Sequence, residues 1–155
     1  MREDSLFDLF KAKATAINAE VYRFKTKNEA LNFITDFIRN EGITEKPKFY
    51  ALWADCPFLK DLDKVKLSME IQGLKFEVTK SLAADAKIGI SQMDWAIANT
   101  GTLVSDSSQI EQRLVSTLSE IHIAIIPTTK LLPDLASLLS RIQPERVSFI
   151  SLITG

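Results

Sequence analysis

The sequence predicts an α/β domain built on a largely parallel sheet that helices cover. Segments with apolar residues at every third or fourth position alternate with short, nearly continuous apolar runs along most of the chain. No internal repeat, low-complexity tract or long linker interrupts the 155 residues. A chain of that length is the size of one ordinary domain. We therefore predict a single domain over residues 1–155.

Two amphipathic helices and a buried strand are predicted in the first part of the chain. Residues 2–18 place apolar side chains at three- and four-residue steps, which indicates a helix with one buried face. Thr26 is followed three residues later by Glu29, as in a capping box, so a second helix should begin here and end before Gly42. Residues 48–53 form a nearly continuous apolar run, typical of a strand covered on both faces.

Shorter helices and strands are predicted in the rest of the chain. In order, they are a helix over 58–62, an edge strand over 74–78, a helix over 81–86 and apolar strands over 87–90, 121–126 and 147–153. Residues 131–142 carry leucines on one helical face, and Pro133 is early enough to lie in the first turn of that helix.

The charge and composition of the chain argue against several classes of protein. The 19 basic and 20 acidic residues give a net charge of −1, whereas a dedicated nucleic-acid binder normally has a strong basic excess. The first residues lack the apolar core of a signal peptide, and no apolar run approaches the roughly 18 residues of a membrane helix. We therefore expect a cytoplasmic protein with neither nucleic acid nor a membrane among its partners.

A single cysteine and a single histidine limit the metal and redox chemistry of the chain. Cys56 has no second cysteine for a disulfide, and an iron–sulfur cluster within this chain would need several thiolates. We expect Cys56 to be a small packed side chain. His122 has no second histidine with which to form a metal cluster. We expect neither a metal site nor a cofactor within this chain.

The central segment combines turn-forming residues with hydroxyl groups at Asn99-Thr-Gly-Thr102. Gly101 permits a positive φ angle or a close approach of the backbone to a ligand. The hydroxyls of Thr100 and Thr102, with the amides around Gly101, are suited to an anion such as a phosphate or carboxylate. The alternative is a hairpin, in which two short strands flank this turn and the hydroxyls are satisfied locally. The sequence leaves both interpretations open.

Four segments carry a family resemblance. They are Asp94-Trp-Ala-Ile-Ala98 with Thr100-Gly-Thr-Leu103, then Arg113-Leu114, Ile121-His-Ile-Ala-Ile125 and Leu152-Ile-Thr-Gly155. In this order they resemble the motifs of the LUD-domain family over about residues 85–155. The family usually has an acid where this chain has Asn99. Its pattern also continues past the point where this sequence ends, so we expect the chain to lack the usual C-terminal segment.

The resemblance implies both a fold and a function. LUD domains look like relatives of the sugar-phosphate isomerase, glucosamine-phosphate deaminase and CoA-transferase group (NagB/RpiA/CoA-transferase-like). In that group a three-layer α/β sheet places ligands at the carboxyl ends of its strands. The implied function is that of a non-redox LUD protein, similar to lactate utilisation protein C. Such a protein would support the oxidation of L-lactate to pyruvate with iron–sulfur partner proteins.

The candidate site combines the central segment with two later residues. The expected ligand-binding residues are Asn99, Thr100, Gly101, Thr102 and Arg113. Arg113 would hold a carboxylate or phosphate through two parallel hydrogen bonds, or else anchor a surface loop. His122 is a candidate proton shuttle, the alternative being a buried neutral imidazole bonded to a neighbour. Asp94 is expected to cap the turn after Ser91.

This site leaves a second function open. The chain would then be a stand-alone enzyme or sensor for a small anionic metabolite, by analogy with the isomerase-like relatives. A homo-oligomer is compatible with either function.

Overall fold

In the computed structural model, which describes residues 2–106, 109–143, 145 and 150–154, the chain divides into two units. The first unit comprises Met1–Tyr22, Met93–Gln109 and Ile126–Gly155, and the second comprises Arg23–Gln92 and Ile110–Ile125. This division into compact units does not test the number of domains, so the single domain over residues 1–155 stays a prediction.

Eight strands and six α-helices lie within the described residues. The strands are β1 (Tyr50–Trp53), β2 (Leu74–Lys75), β3 (Ala86–Gln92), β4 (Trp95–Ile97), β5 (Thr102–Asp106), β6 (Ile121–Ile125), β7 (Leu131–Leu132) and β8 (Ile150–Ile153). The helices are α1 (Glu3–Ala16), α2 (Lys27–Asn40), α3 (Lys64–Glu70), α4 (Lys80–Ala84), α5 (Ile110–Leu118) and α6 (Leu135–Leu139). None of these helices is long and apolar enough to cross a membrane.

The second unit contains a parallel sheet with the strand order β2-β1-β3-β6. Successive side chains of a strand point to opposite faces of its sheet. Accordingly, Ala51 and Trp53 belong to one buried cluster, together with residues of α2. Tyr50 and Leu52 belong to another, together with residues of α4 and α5. Helices therefore cover both faces, and the predicted α/β fold with a parallel, helix-covered sheet is confirmed in this unit.

Close packing of α5 against the sheet depends on a glycine in β3. A Cβ atom added at Gly89 would collide with the Ser119 hydroxyl and with the Val115 carbonyl oxygen. Val115 is fully buried in the cluster beneath this helix. The absence of a side chain at Gly89 thus allows the backbone of α5 to lie directly over β3.

The first unit contains a mixed sheet with the strand order β7-β4-β5-β8. Strand β5 is antiparallel to both β4 and β8, whereas β4 and β7 run parallel. Phe10 and Ala14 of α1 pack with Ala96 and Ala98 in a buried cluster of this unit. The strand predicted over 147–153 is seen from Ile150 onward, and residues 147–149 lie outside the described residues.

The helix predicted over 131–142 is wrong at both ends, because α6 covers only Leu135–Leu139. Leu131 and Leu132 form β7, which pairs with β4, and the helix begins only after Asp134. The Asp134 carboxylate accepts hydrogen bonds from the backbone N–H and the hydroxyl of Ser137. Pro133 has no N–H to donate, and with the Asp134 cap it separates a strand from a helix where the leucine spacing alone predicts one helix.

Candidate functional site

The strand order of the parallel sheet reverses beside β1. From β1 the chain reaches β2 on one side and then β3 on the other. In open α/β sheets, ligands bind outside the carboxyl ends of the strands at such a switch point, because the loops diverge there and leave a crevice. The candidate functional site of the second unit is therefore the edge where β1 and β3 end.

Gln112 of α5 connects the two strand ends at this edge. Its side chain is 6% exposed. The Nε2 group donates to the backbone oxygen of Asp55, at 2.6 Å, and Oε1 accepts from the backbone N–H of Gln92, at 3.1 Å. The Gln92 side chain in turn accepts from the backbone N–H of Phe58, at 2.8 Å. A chain of amide hydrogen bonds thus holds the loop after β1, the end of β3 and the start of α5 together.

A cation lies at the outer side of this edge. Lys64 Nζ is 3.1 Å from Asp55 Oδ1; the Asp55 side chain is 74% exposed and that of Lys64 is 40% exposed. An exposed ion pair contributes little to stability, typically about 0–1 kcal/mol. Both charges are therefore available to a polar ligand at modest cost. The buried amides determine the geometry of the edge, and Lys64 and Asp55 place one positive and one negative group beside it.

Replacement of Gln112 by leucine should lower the free energy of unfolding by about 2 kcal/mol. Leucine has a similar volume, but it leaves the Gln92 N–H and the Asp55 carbonyl oxygen without their partners. The free energy is measured by urea unfolding followed by circular dichroism. Gln72→Leu is the control, because Gln72 is exposed in the same unit and should change stability by less than about 0.5 kcal/mol. Equal losses in both variants would contradict the assigned role of Gln112.

His122 is bonded to Ser91 on the sheet of the second unit. His122 Nε2 and the hydroxyl of the fully buried Ser91 are 2.6 Å apart. Burial lowers the pKa of His122 from 6.5 to about 4, so the imidazole is neutral at pH 7. The half-buried imidazole has the neighbouring hydrogen-bond partner of the non-catalytic alternative that the sequence leaves open. A group with so low a pKa is a weak proton acceptor at neutral pH, which disfavours a role as general base.

The central segment forms a hairpin. Strand β4 pairs with the antiparallel β5, and residues 98–101 make the turn between them. The hydroxyls of Thr100 and Thr102 are 2.8 Å apart, and that of Thr102 is 2.6 Å from that of Thr154. Gly101 has a φ of 66°, and its backbone lies against Ala14 of α1. The predicted hairpin is confirmed, but its hydroxyls are not satisfied within the turn alone, because the Thr102 hydroxyl also bonds that of the distant Thr154.

The residues proposed from the sequence fall in both units. Asn99 and Thr100 are exposed at the hairpin turn of the first unit, and Gly101 and Thr102 are buried beside them. Arg113, exposed on α5, and His122 belong to the second unit. The structure brings together the threonine hydroxyls in one unit and His122 with Ser91 in the other. An anion site at Asn99–Thr102 or at Arg113 stays a prediction.

Asp94 has a different partner from the one that the sequence suggests. Its Oδ2 atom accepts a hydrogen bond from the backbone N–H of Asp106, at 2.6 Å. This bond ties the start of the hairpin to the end of β5, in place of the expected cap on the turn after Ser91.

Gln92 and Gln112 were missed by the sequence reasoning. Polar residues that directly follow buried strands gather at one sheet edge, and this rule marks Asp55 and Gln92. This rule does not identify Gln112, because its hydrogen-bond partners are 20 and 57 residues away in the chain.

The fold makes this chain an α/β protein with a helix-covered parallel sheet. A family model, that of the LUD domain, matches residues 7–155. The chain therefore belongs to the LUD-domain family, and the membership inferred from residues 85–155 extends to residue 7.

One curated relative and one solved structure are similar to the chain. "Lactate utilization protein C" of Exiguobacterium sp. (strain ATCC BAA-1283 / AT1b) is 33% identical over 84 residues, which cover 48% of this chain and 36% of the relative. The match therefore spans about a third of the relative's own length. A crystal structure of a DUF162 family protein from Deinococcus radiodurans is 13% identical, with a TM-score of 0.46 over 84% of this chain and 89% of that one.

Proposed function

We propose that this chain acts in lactate utilisation as a non-redox LUD-domain protein that supports the oxidation of L-lactate to pyruvate. The observation that carries the proposal is the LUD-family match over residues 7–155, joined by the similarity to lactate utilization protein C. Oxidation of a hydroxy acid to a keto acid releases two electrons and two protons. Cys56 is the only cysteine, so this chain does not supply the thiolates of an iron–sulfur cluster. The proposal assigns the electrons to iron–sulfur partner proteins.

The switch-point edge of the second unit supports a binding role in this process. Gln112 holds the ends of β1 and β3 through buried amide hydrogen bonds, which gives a fixed frame at the place where open α/β sheets bind ligands. Lys64 provides a cation beside that frame. A carboxylate such as that of lactate is a suitable anion for a lysine at such an edge.

Deletion of the gene in the native host tests this function. The deletion strain is expected to grow normally on pyruvate and poorly on L-lactate, since only the second substrate needs the oxidation step. The gene for the unaltered chain, supplied in trans, should restore growth on lactate. Normal growth of the deletion strain on L-lactate would overturn the proposal.

The proposed partners are tested by affinity purification of the tagged chain from lactate-grown cells. The eluate is expected to contain iron and acid-labile sulfide in a copurifying protein. A tagged chain that carries Cys56→Ala should copurify the same iron, because the proposal assigns the cluster to the partner. Loss of iron in that variant, or an eluate without iron in both, would contradict the partner assignment.

A second candidate function rests on the hydroxyl chain of the hairpin. Thr100, Thr102 and Thr154 have three hydroxyl hydrogens, and their two mutual hydrogen bonds use two of them. The third hydrogen remains for an outside acceptor, such as an oxygen of a small anion. The chain would then be an enzyme or sensor for an anionic metabolite.

Titration with phosphate, L-lactate and pyruvate, compared between the unaltered chain and Thr100→Val, tests this second function. Unchanged binding in the variant would rule out this site.

A further inference from the structure

A cleft of about 250 Å³ opens in the first unit, beside the mixed sheet. This volume lies just below the roughly 300–1,000 Å³ of ordinary small-ligand pockets, so the cleft suits a metabolite of amino-acid size. Among the described residues, its lining combines two acids, one arginine, one glutamine, one tryptophan and three aliphatic side chains. They are Asp94, Trp95, Val104, Asp106, Arg141, Ile142, Gln143 and Ile150.

The acidic side of the cleft is centred on Asp94. Its Oδ2 atom accepts from the Asp106 N–H, and its Oδ1 atom has no hydrogen-bond partner within the part of the chain that the structure describes. The pKa of the Asp94 carboxyl is raised, first by loss of water around it and then by the negative charge of Asp106; the Asp106 N–H and the Lys130 charge oppose this rise. An ammonium group placed at Oδ1 would lower this pKa again, because its positive charge favours the ionised carboxylate.

Two positively charged side chains lie beside Trp95, near the cleft. Arg141 lines the cleft, and its Cζ atom lies 5.7 Å from the centre of the Trp95 ring. Lys130 Nζ lies 4.4 Å from the same centre. A guanidinium group held near an aromatic face still has N–H donors at its rim, and these match the two oxygens of a carboxylate. Between the charged groups, Val104, Ile142 and Ile150 give the cleft an apolar wall.

We propose that this cleft binds a free α-amino acid with an apolar side chain. The ammonium group of the ligand donates a hydrogen bond to the Asp94 carboxylate, and the ligand's carboxylate accepts hydrogen bonds from the Arg141 guanidinium. The ligand's side chain packs on the aliphatic wall. Of the residues that the structure describes, Asp94 gives the cleft a negative end and Arg141 a positive end, so the cleft suits a zwitterion better than a simple ion. This site is independent of the proposed role in lactate utilisation, since its residues are not those of the switch-point edge.

Calorimetric titration with three matched probes tests the proposal. L-Leucine has both charged groups, isoamylamine lacks the carboxylate, and isocaproate lacks the ammonium group. L-Leucine is expected to bind at millimolar concentration, and each of the other probes should bind at least about tenfold more weakly, because one charge-assisted hydrogen-bond set is lost. L-Lactate should behave like isocaproate.

Two variants assign the binding to the cleft. Asp94→Asn retains a side-chain oxygen for the Asp106 N–H and should weaken L-leucine binding by about tenfold or more. Arg141→Gln should weaken L-leucine binding to a similar extent, because it removes the charged donor to the ligand's carboxylate. Asp8→Asn, which changes an exposed acid of α1 in the same unit, is the control and should bind L-leucine as the unaltered chain does.

Several results would overturn the proposal. One is the absence of L-leucine binding to the unaltered chain, and another is unchanged binding in Asp94→Asn and Arg141→Gln. Binding of isoamylamine equal to that of L-leucine would indicate a site for organic cations. Equal binding of isocaproate or L-lactate would indicate a carboxylate site. Thermal unfolding of both variants, measured without ligand, shows whether a loss of binding reflects a loss of fold.

Discussion

Replacement of Gly101 by alanine should lower the free energy of unfolding by about 3 kcal/mol. Gly101 has a φ of 66°, which costs a side-chain-bearing residue about 1–2 kcal/mol. The added Cβ would also lie 2.6 Å from Ala14 N and 2.9 Å from Lys13 C, both backbone atoms of α1. Such overpacking typically costs a further ~1–3 kcal/mol, because neither the turn nor the helix backbone moves freely. Urea unfolding measures the loss.

Gly42→Ala separates the two contributions. Gly42 has nearly the same conformation, with a φ of 68°, but a Cβ added there meets no atom within 4 Å. This variant should therefore lose only the conformational part, about 1 kcal/mol. The difference between the variants measures the packing of the hairpin turn on α1. Equal losses would show that the turn does not lie against α1 in solution.

The stability of the protein should fall by about 2 kcal/mol when the pH is lowered from about 7.5 to about 5. The pKa of His122 is lowered from 6.5 to about 4 in the folded protein. Well above pH 6.5 the imidazole is neutral in both the folded and the unfolded state, so it has no effect on stability there. Between pH 6.5 and 4 the unfolded chain binds a proton that the folded chain does not, so protonation favours unfolding.

His122→Gln isolates this contribution. His122 is the only histidine, so the variant removes the single group expected to cause a loss in that range. Asp94 has a raised pKa and acts in the opposite direction, because its protonation in the folded state stabilises the fold as the pH falls. The comparison of the two proteins cancels the Asp94 effect. The same pH dependence in His122→Gln and in the unaltered chain would contradict a neutral imidazole in the folded protein.

The sequence predicted those helices and strands that are determined by residues close together in the chain. The second helix begins where Thr26 accepts from the Glu29 N–H, at 3.2 Å, as the capping pattern indicates. Residues Tyr50–Trp53 are all buried, as their continuous apolar run requires.

Helix α3 was missed because its apolar residues, Val65, Leu67 and Met69, recur at every second position, which is not a helical spacing. Of the three, Leu67 packs against the core, and Val65 and Met69 are 68% and 80% exposed. The cap of α3 at Asp63 was the available indication.

The candidate site depends on relations that local patterns do not contain. The position of a switch point follows from the strand order, and that order places β1 between β2 and β3 although β2 comes directly after β1 in the chain. Gln112 acquires its partners only through this arrangement. The exposed hairpin residues were easier to find, because Thr100 and Gly101 are neighbours in a recognisable motif. Their hydroxyl partner Thr154 again comes from a distant part of the chain, directly after β8.

The two tryptophans provide one optical reporter for each unit. Trp53 is fully buried in the second unit and stacks with Phe58 and Phe76, whereas Trp95 in the first unit lies near two cationic side chains. In Trp95→Phe the emission of the chain reports only on the surroundings of Trp53, and Trp53→Phe gives the converse. Coincident denaturation curves from these two proteins would mean that both units unfold in one cooperative step, and separated curves would give each unit its own midpoint.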